Sequence, residues 1–309
     1  MKKNFLILVM SFSAVTLIAI NGCKKSAGSE ADYTADFTVQ SEDQTFVSAE
    51  DDAVSNDANT LVESDVEFGG GRTENTICDA TITHSTTATT KVLTVTYTGQ
   101  SCAGNHTRTG MVIITLPKEK RWKDAGAQLS ITYQNLKITR TGDKKSIVLN
   151  GTKIITNVSG GEIGSLALLR TITHSITSSA LSITFDDGTK RDWQISKQRV
   201  FTYNNGIVIS TRGTHAEGTA LNISEWGTNR LGKPFITQIA EPLVIRQDCD
   251  FRLVSGKIVY ANLQSPVTIT FGLNATGAAT SCPVGTDHYY YKVDWTGLQN
   301  VAHSIILPY

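Results

Sequence analysis

Beyond Thr73 the chain is built from short runs in which apolar and polar residues alternate, separated by Gly, Asn or Asp. In one run Leu93, Val95 and Tyr97 interleave with Thr94, Thr96 and Thr98. Period-two alternation places one set on a buried sheet face and the other toward water, a pattern no helix satisfies. Thr, Ile and Val supply 89 of the 309 residues, the β-branched class that packs well on a pleated surface. About a dozen antiparallel strands are expected. The fold class is all-β, an antiparallel meander forming a sandwich or strongly curled sheet, with one N-terminal helix.

Parity fixes finer detail. Leu181, Ile183, Phe185, Trp193 and Ile195 are all odd-numbered, and a two-residue turn would pair odd with even positions and split that face. A three-residue loop, Asp186-Asp187-Gly188 with Gly188 left-handed, pairs Phe185 with Thr189 and Leu181 with Trp193. The odd residues Phe201, Tyr203, Ile207 and Ile209 ask for the same loop at Asn204-Asn205-Gly206, pairing Tyr203 with Ile207. The buried set changes parity between Leu129-Ile131-Tyr133 and Leu136-Ile138, and a β-bulge near Gln134-Asn135 restores the face. Met111-Val112-Ile113-Ile114 is apolar on both faces, so that strand is expected to be covered on both sides.

The N-terminal segment differs. Residues 1–22 have a basic start at Lys2 and Lys3 and an uncharged apolar run from Phe5 to Ile20, too short for a comfortable membrane span and laid out as a secretion signal. Ile20-Asn21-Gly22-Cys23 resembles a bacterial lipobox, which makes Cys23 the candidate for lipid attachment. Residues 23–72 form an acidic tether. From Lys24 to Arg72 there are 12 acidic and 3 basic residues, whereas the domain at 73–309 holds 23 basic and 16 acidic ones. Ser41-Glu42-Asp43-Gln44 fits a capping box, and Val47, Val54 and Leu61 recur every seven residues beside Phe46 and Val62. A helix over about 42–65 is expected, ended by Gly69-Gly70-Gly71. Its acidic faces could lie against the basic body, although a solvated charged helix is the more ordinary outcome. A weak sub-boundary is expected near Gly160-Gly161.

Without Cys23, four cysteines remain, an even set that suggests two disulfides in an exported protein. Three pairings are possible, and proximity favours Cys78 with Cys102 and Cys249 with Cys282. No Cys-x-x-Cys occurs and no His stands at ligand spacing from a Cys, so no metal is expected. His215-Ala216-Glu217 is the one short chelate, and its ordinary reading is a solvated strand pair. The chain has no Gly-x-Ser-x-Gly elbow, no His-Glu-x-x-His and no phosphate-binding glycine loop, and Asp186-Asp187 has a turn to make; no catalytic residue and no cofactor are expected. In His288 to Trp295, Tyr289, Tyr291, Val293 and Trp295 share a face expected in the core. Tyr290 stands opposite as the weak candidate for ligand binding. Overall charge balances at 28 basic against 28 acidic residues, which argues against a general nucleic-acid binder.

GQSCAGNHTRTGMVIITL at 99–116, LSITYQNLKIT at 129–139, LNGTKIITN at 149–157, LSITFDDGTKRDW at 181–193 and the stretch 226–260 together resemble a group of uncharacterised lipoproteins common in Bacteroidota. The resemblance implies a lipid-anchored, all-β envelope protein with an N-terminal helix. GLNATGAATSCPVG departs from that group's shorter turn before the last Cys. By analogy with well-studied lipoproteins, Lys24 in place of Asp favours the outer membrane, periplasm-facing or surface-exposed. The leading expectation is a non-enzymatic binding or scaffold protein held to the membrane by its lipid, with a protein, glycan or lipid partner. A periplasmic lipid or lipopolysaccharide carrier, which needs a continuous apolar groove, and a glycan-binding or glycan-active surface protein are the alternatives.

Overall fold

A computed structural model describes residues 28–70, 77–101, 104–261, 266–282, 288–297 and 300–309, with side chains from residue 39 onward. The alternating runs form the strands β1 (Ala80–Thr86), β2 (Thr90–Gln100), β3 (His106–Pro117), β4 (Ala127–Arg140), β5 (Ser146–Asn157), β6 (Thr171–Phe185), β7 (Lys190–Tyr203) and β8 (Ile207–Gly213). They continue as β9 (His215–Glu217), β10 (Ala220–Thr228), β11 (Pro234–Arg246), β12 (Arg252–Tyr260), β13 (Val267–Leu273), β14 (Tyr290–Thr296) and β15 (Ala302–Pro308). A long helix, α1 (Gly28–Ser64), precedes them, and a single helical turn, α2 (Leu166–Leu169), interrupts them. All 15 strands belong to one antiparallel sheet, so the protein is all-β with one N-terminal helix.

Strands run consecutively from β1 to β7 and from β10 to β15. Between β7 and β11 one strand position is shared. β10 pairs with residues 192–195 of β7 and 234–238 of β11, while β8 pairs with residues 197–203 of β7 and 243–246 of β11. β9 pairs with β10 alone. A sheet this wide curls under its own twist, and α1 lies in the concavity. Side chains of α1 reach β2, β3, β4, β5, β7 and β10. Gly160-Gly161 falls in the connection between β5 and β6, which pair with each other along their length.

Both expected hairpins are present. Phe185 N–H donates to Thr189 O at 2.9 Å, Leu181 stands opposite Trp193, and Gly188 has φ +81°. Tyr203 stands opposite Ile207, with Asn205 taking the left-handed position at φ 53°. The bulge on β4 lies between Tyr133 and Leu136 with Asn135 at φ 48°. It requires glycine across the strand pair: a Cβ on Gly110, at φ +106°, would stand 2.2 Å from Asn135 O.

Two expectations need correction. The helix begins at Gly28 rather than near residue 42, and Ser41-Glu42-Asp43-Gln44 lies inside it. Residues 29–40 contain neither Gly nor Pro to stop the helix. Ser41 and Gln44 are buried against the sheet, so their three-residue spacing reflects a shared helix face, not a cap. The strand β3 is buried on one face alone, since Val112 and Ile114 are buried while Met111 is 37% exposed. The seven-residue spacing holds: Val47, Val54 and Leu61 are all buried and belong, with Ala58 and Val62, to one core shared with β2 through β7. A second cluster joins Ile239, Ile258, Tyr260, Val267, Ile269 and Val293 across β11 to β14.

Candidate functional site

The strongest concentration of chemistry among the described residues is the surface where α1 meets the concave sheet. The apolar stripe of α1 is flanked by acids that face inward. On the sheet, the inward rows of β3, β5 and β7 are interrupted by cations. In β7 Arg191, Trp193, Ile195, Lys197, Arg199 and Phe201 are all odd-numbered, so strand geometry sends their side chains to one face. Arg191 and Lys153 are fully buried.

The pairs follow the helix. Asp43 accepts two hydrogen bonds from Arg230, whose guanidinium lies 3.6 Å from the Phe185 ring centroid. Gln44 donates to Glu225 and accepts from Arg191 Nη2 at 2.6 Å. Glu225, itself buried, also accepts from Trp193 Nε1 at 3.0 Å and from Lys197. Asp51 Oδ1 accepts from Lys153 Nζ at 2.5 Å and from Tyr133 OH at 2.6 Å, and Ser55 Oγ accepts from the same Lys153 at 2.7 Å. Asp52 pairs with Arg199 at 2.6 Å. Asp57 accepts from Arg108 Nη1 at 2.7 Å and Tyr97 OH at 2.9 Å, while Asp79 takes the other side of that guanidinium. At the C-terminal end of α1, Glu63 accepts the backbone N–H groups of Ile163 and Gly164 at 2.6 and 3.2 Å.

Burial and pairing compete within this seam. For Glu225 burial favours the neutral acid, but the charges of Lys197 and Arg191 outweigh it and hold the carboxyl below its usual range. Burial pushes the Lys153 ammonium down despite Asp51. Glu50 lacks so close a partner: burial raises it to about 7, its nearest ionisable contact is His106 Nδ1 at 3.8 Å, and its Oε2 accepts no hydrogen bond. Chemically, the arrangement clamps α1 at fixed heights against many strands. Apart from Glu50, the acids of this seam are engaged with its cations or with backbone N–H groups.

The sequence-derived candidates lie elsewhere. Cys23 and Cys102 fall outside the described residues. Cys78 is disulfide-bonded. Cys249 and Cys282 form a disulfide with their Cα atoms 5.2 Å apart. Asp248 stands beside that pair, but the two sulfurs are bonded to each other and are not offered to a metal. Tyr290 is half-buried in β14 opposite Pro308 and Leu273. Tyr289 and Val293 of the opposite face are buried, and Tyr291 and Trp295 are partly so. His215 stacks on Trp226 at 4.2 Å while Glu217 is exposed. Asp187 Oδ1 accepts the N–H and hydroxyl of Thr189, a turn-making role. The seam cations were not singled out in advance, although parity already set Arg191, Lys197 and Arg199 on the core face of their strand.

No protein-family model, curated protein or solved structure matches the chain. The seam therefore stands on its own geometry. Among the described residues, no helix is long and apolar enough to cross a membrane.

Proposed function

We propose that this protein is a lipid-anchored envelope protein of non-enzymatic binding or scaffold type, attached through Cys23 to the outer membrane. One observation carries the reading. The helix that starts at Gly28, five positions after Cys23, runs through the concave sheet and is ion-paired to β3, β5 and β7 and to the loop after β10. A tether leading into such a helix transmits any pull on the anchor to the whole sheet, as a scaffold requires. Over β2 to β10, α1 occupies the concavity that a carried acyl chain would need, which favours scaffold over carrier.

Metabolic labelling with an alkyne fatty acid, read on the full-length chain and on C23A, tests the proposal. Label in the wild type, lost in C23A together with membrane association, is the expected result. An unlabelled wild-type chain would refute the anchor.

A further inference from the structure

Among the described residues the main strand path is open at its two ends, β1 and β15. The β1 edge is flanked by the loop after α1, where Asp65 Oδ2 lies 2.7 Å from His84 Nδ1 and Glu67 accepts from Thr86 Oγ1 at 2.9 Å. Among the described residues, the β15 edge carries few of the devices that normally keep edges from pairing. It contains no Lys, Arg, Asp or Glu, it pairs with β14 over all seven residues without a register shift, and its proline, Pro308, is its last residue.

Two hydrogen bonds identify the groups that face outward. Gly297 N–H donates to Val301 O and Tyr309 N–H donates to Tyr289 O, each at 2.8 Å. Hydrogen-bonded pairs recur at every second residue of an antiparallel ladder. The odd residues of β15 therefore bond to β14, and Ala302, Ser304 and Ile306 turn their N–H and C=O groups to the open side. Ser304 is exposed, and so are the large apolar residues beside it, Val301 at 49% and Ile305 at 44%.

We propose that the open edge of β15 is an interaction surface and that its partner is β15 of a second copy, paired antiparallel about a two-fold axis at Ser304. In this register Ser304 faces Ser304 and Ala302 faces Ile306, so all three outward donors of each strand are used, about six backbone bonds in total. Neighbouring registers fail at one end or the other. Moving the axis toward Ile305 brings Pro308, which has no N–H, into the ladder. Moving it toward His303 brings in Asn300, whose φ of 59° is not extended. On the odd face, Ile305 comes to lie opposite His303 of the second copy and Val301 opposite its Leu307, so both exposed apolar side chains gain cover. The uncharged strand offers no like-charge repulsion to its own copy. Pairing β15 with β1 of another copy would instead build an open filament past Asp65 and Glu67.

The test uses the full-length chain, with the wild type run beside each variant so that any bridge through an unacylated Cys23 is accounted for. Non-reducing electrophoresis of S304C should show a covalent dimer, because directly opposed hydrogen-bonded residues sit within disulfide reach. T83C, in the middle of β1, should show none. Sedimentation equilibrium should find wild-type dimer, and S304P should lower its association about 10-fold or more by deleting one outward donor per strand while leaving the bonds to β14 in place. Should S304P unfold, the S304C result decides alone. A wild-type chain that is monomeric at all concentrations, or a dimer that persists in S304P without an S304C bridge, would overturn the proposal.

Discussion

Removing the Asp51 carboxylate tests whether the seam holds α1 to the sheet. Lys153 Nζ lies 2.5 Å from Asp51 Oδ1, and neither side chain is more than 5% exposed. At an effective dielectric of about 20, a pair at that separation attracts by about 7 kcal/mol, while bringing both charges out of water costs several kcal/mol each. The intact pair is therefore close to neutral in net stability. D51A deletes the attraction but leaves the buried ammonium, with Ser55 Oγ as its remaining side-chain partner, and Tyr133 OH loses its acceptor. The expected loss is about 3–5 kcal/mol. K153M should cost about 3 kcal/mol by stranding the carboxylate, whereas D51A/K153M should fall within about 2 kcal/mol of wild type. Urea unfolding followed by circular dichroism measures all four states. Single variants within about 0.5 kcal/mol of wild type, or a double variant equal to their sum, would refute a coupled buried pair.

His174 is buried between the rings of Trp122 and Phe201, at 5.1 and 4.9 Å, and burial with the nearby Arg199 charge pushes it down to about 3. The unfolded chain binds this proton near pH 6.5 and the folded one does not, so stability should fall as pH drops from 6.5 toward 3, by up to about 5 kcal/mol. H174F should flatten that part of the measured stability profile. Glu50 has the opposite sign: raised to about 7 from 4.5, it should make the fold less stable as pH rises from 4.5 to 7. E50Q should therefore be the more stable protein at pH 8, by about 1–3 kcal/mol in urea unfolding, and the difference should vanish near pH 4. The Cys249–Cys282 disulfide spans 33 residues, and C249A/C282A should lose about 3–4 kcal/mol, read as a lower thermal midpoint that reductant shifts less than it shifts the wild type, since the disulfide at Cys78 remains.

The sequence made the local geometry legible. Side-chain parity located both three-residue loops and the bulge at Asn135, because a one-residue error in any of them would turn an apolar row to water. The seven-residue recurrence of Val47, Val54 and Leu61 identified the buried stripe of α1, and proximity identified the Cys249–Cys282 pair. The start of α1 was less legible, since Ser41 and Gln44 mimic a cap by lining one helix face. The fork at β8 and β10 left no local trace, because both strands alternate alike. Which acid meets which cation was also hidden: Asp51 and Lys153 are 102 residues apart, and only the curl of the sheet brings them together. The opposed charges of the acidic segment and the body allowed the contact, but a solvated helix was the more ordinary expectation, and the acids of α1 are instead paired with Lys153, Arg199 and Arg230.

The placement of those charges explains a feature that apolar packing leaves open. A helix held only by Val47, Val54, Ala58, Leu61 and Val62 could slide by one turn, about 5.4 Å, and still present an apolar stripe. The acids remove that freedom because they meet elements at different heights: Asp43 the loop after β10, Asp51 β5, Asp52 β7, Asp57 β3 and Glu63 the turn before α2. A one-turn slide breaks all five contacts at once and strands several buried charges, each a loss of kcal/mol size. Buried ion pairs add little net stability compared with well-packed apolar residues, so their value here lies in fixing a single axial position for α1.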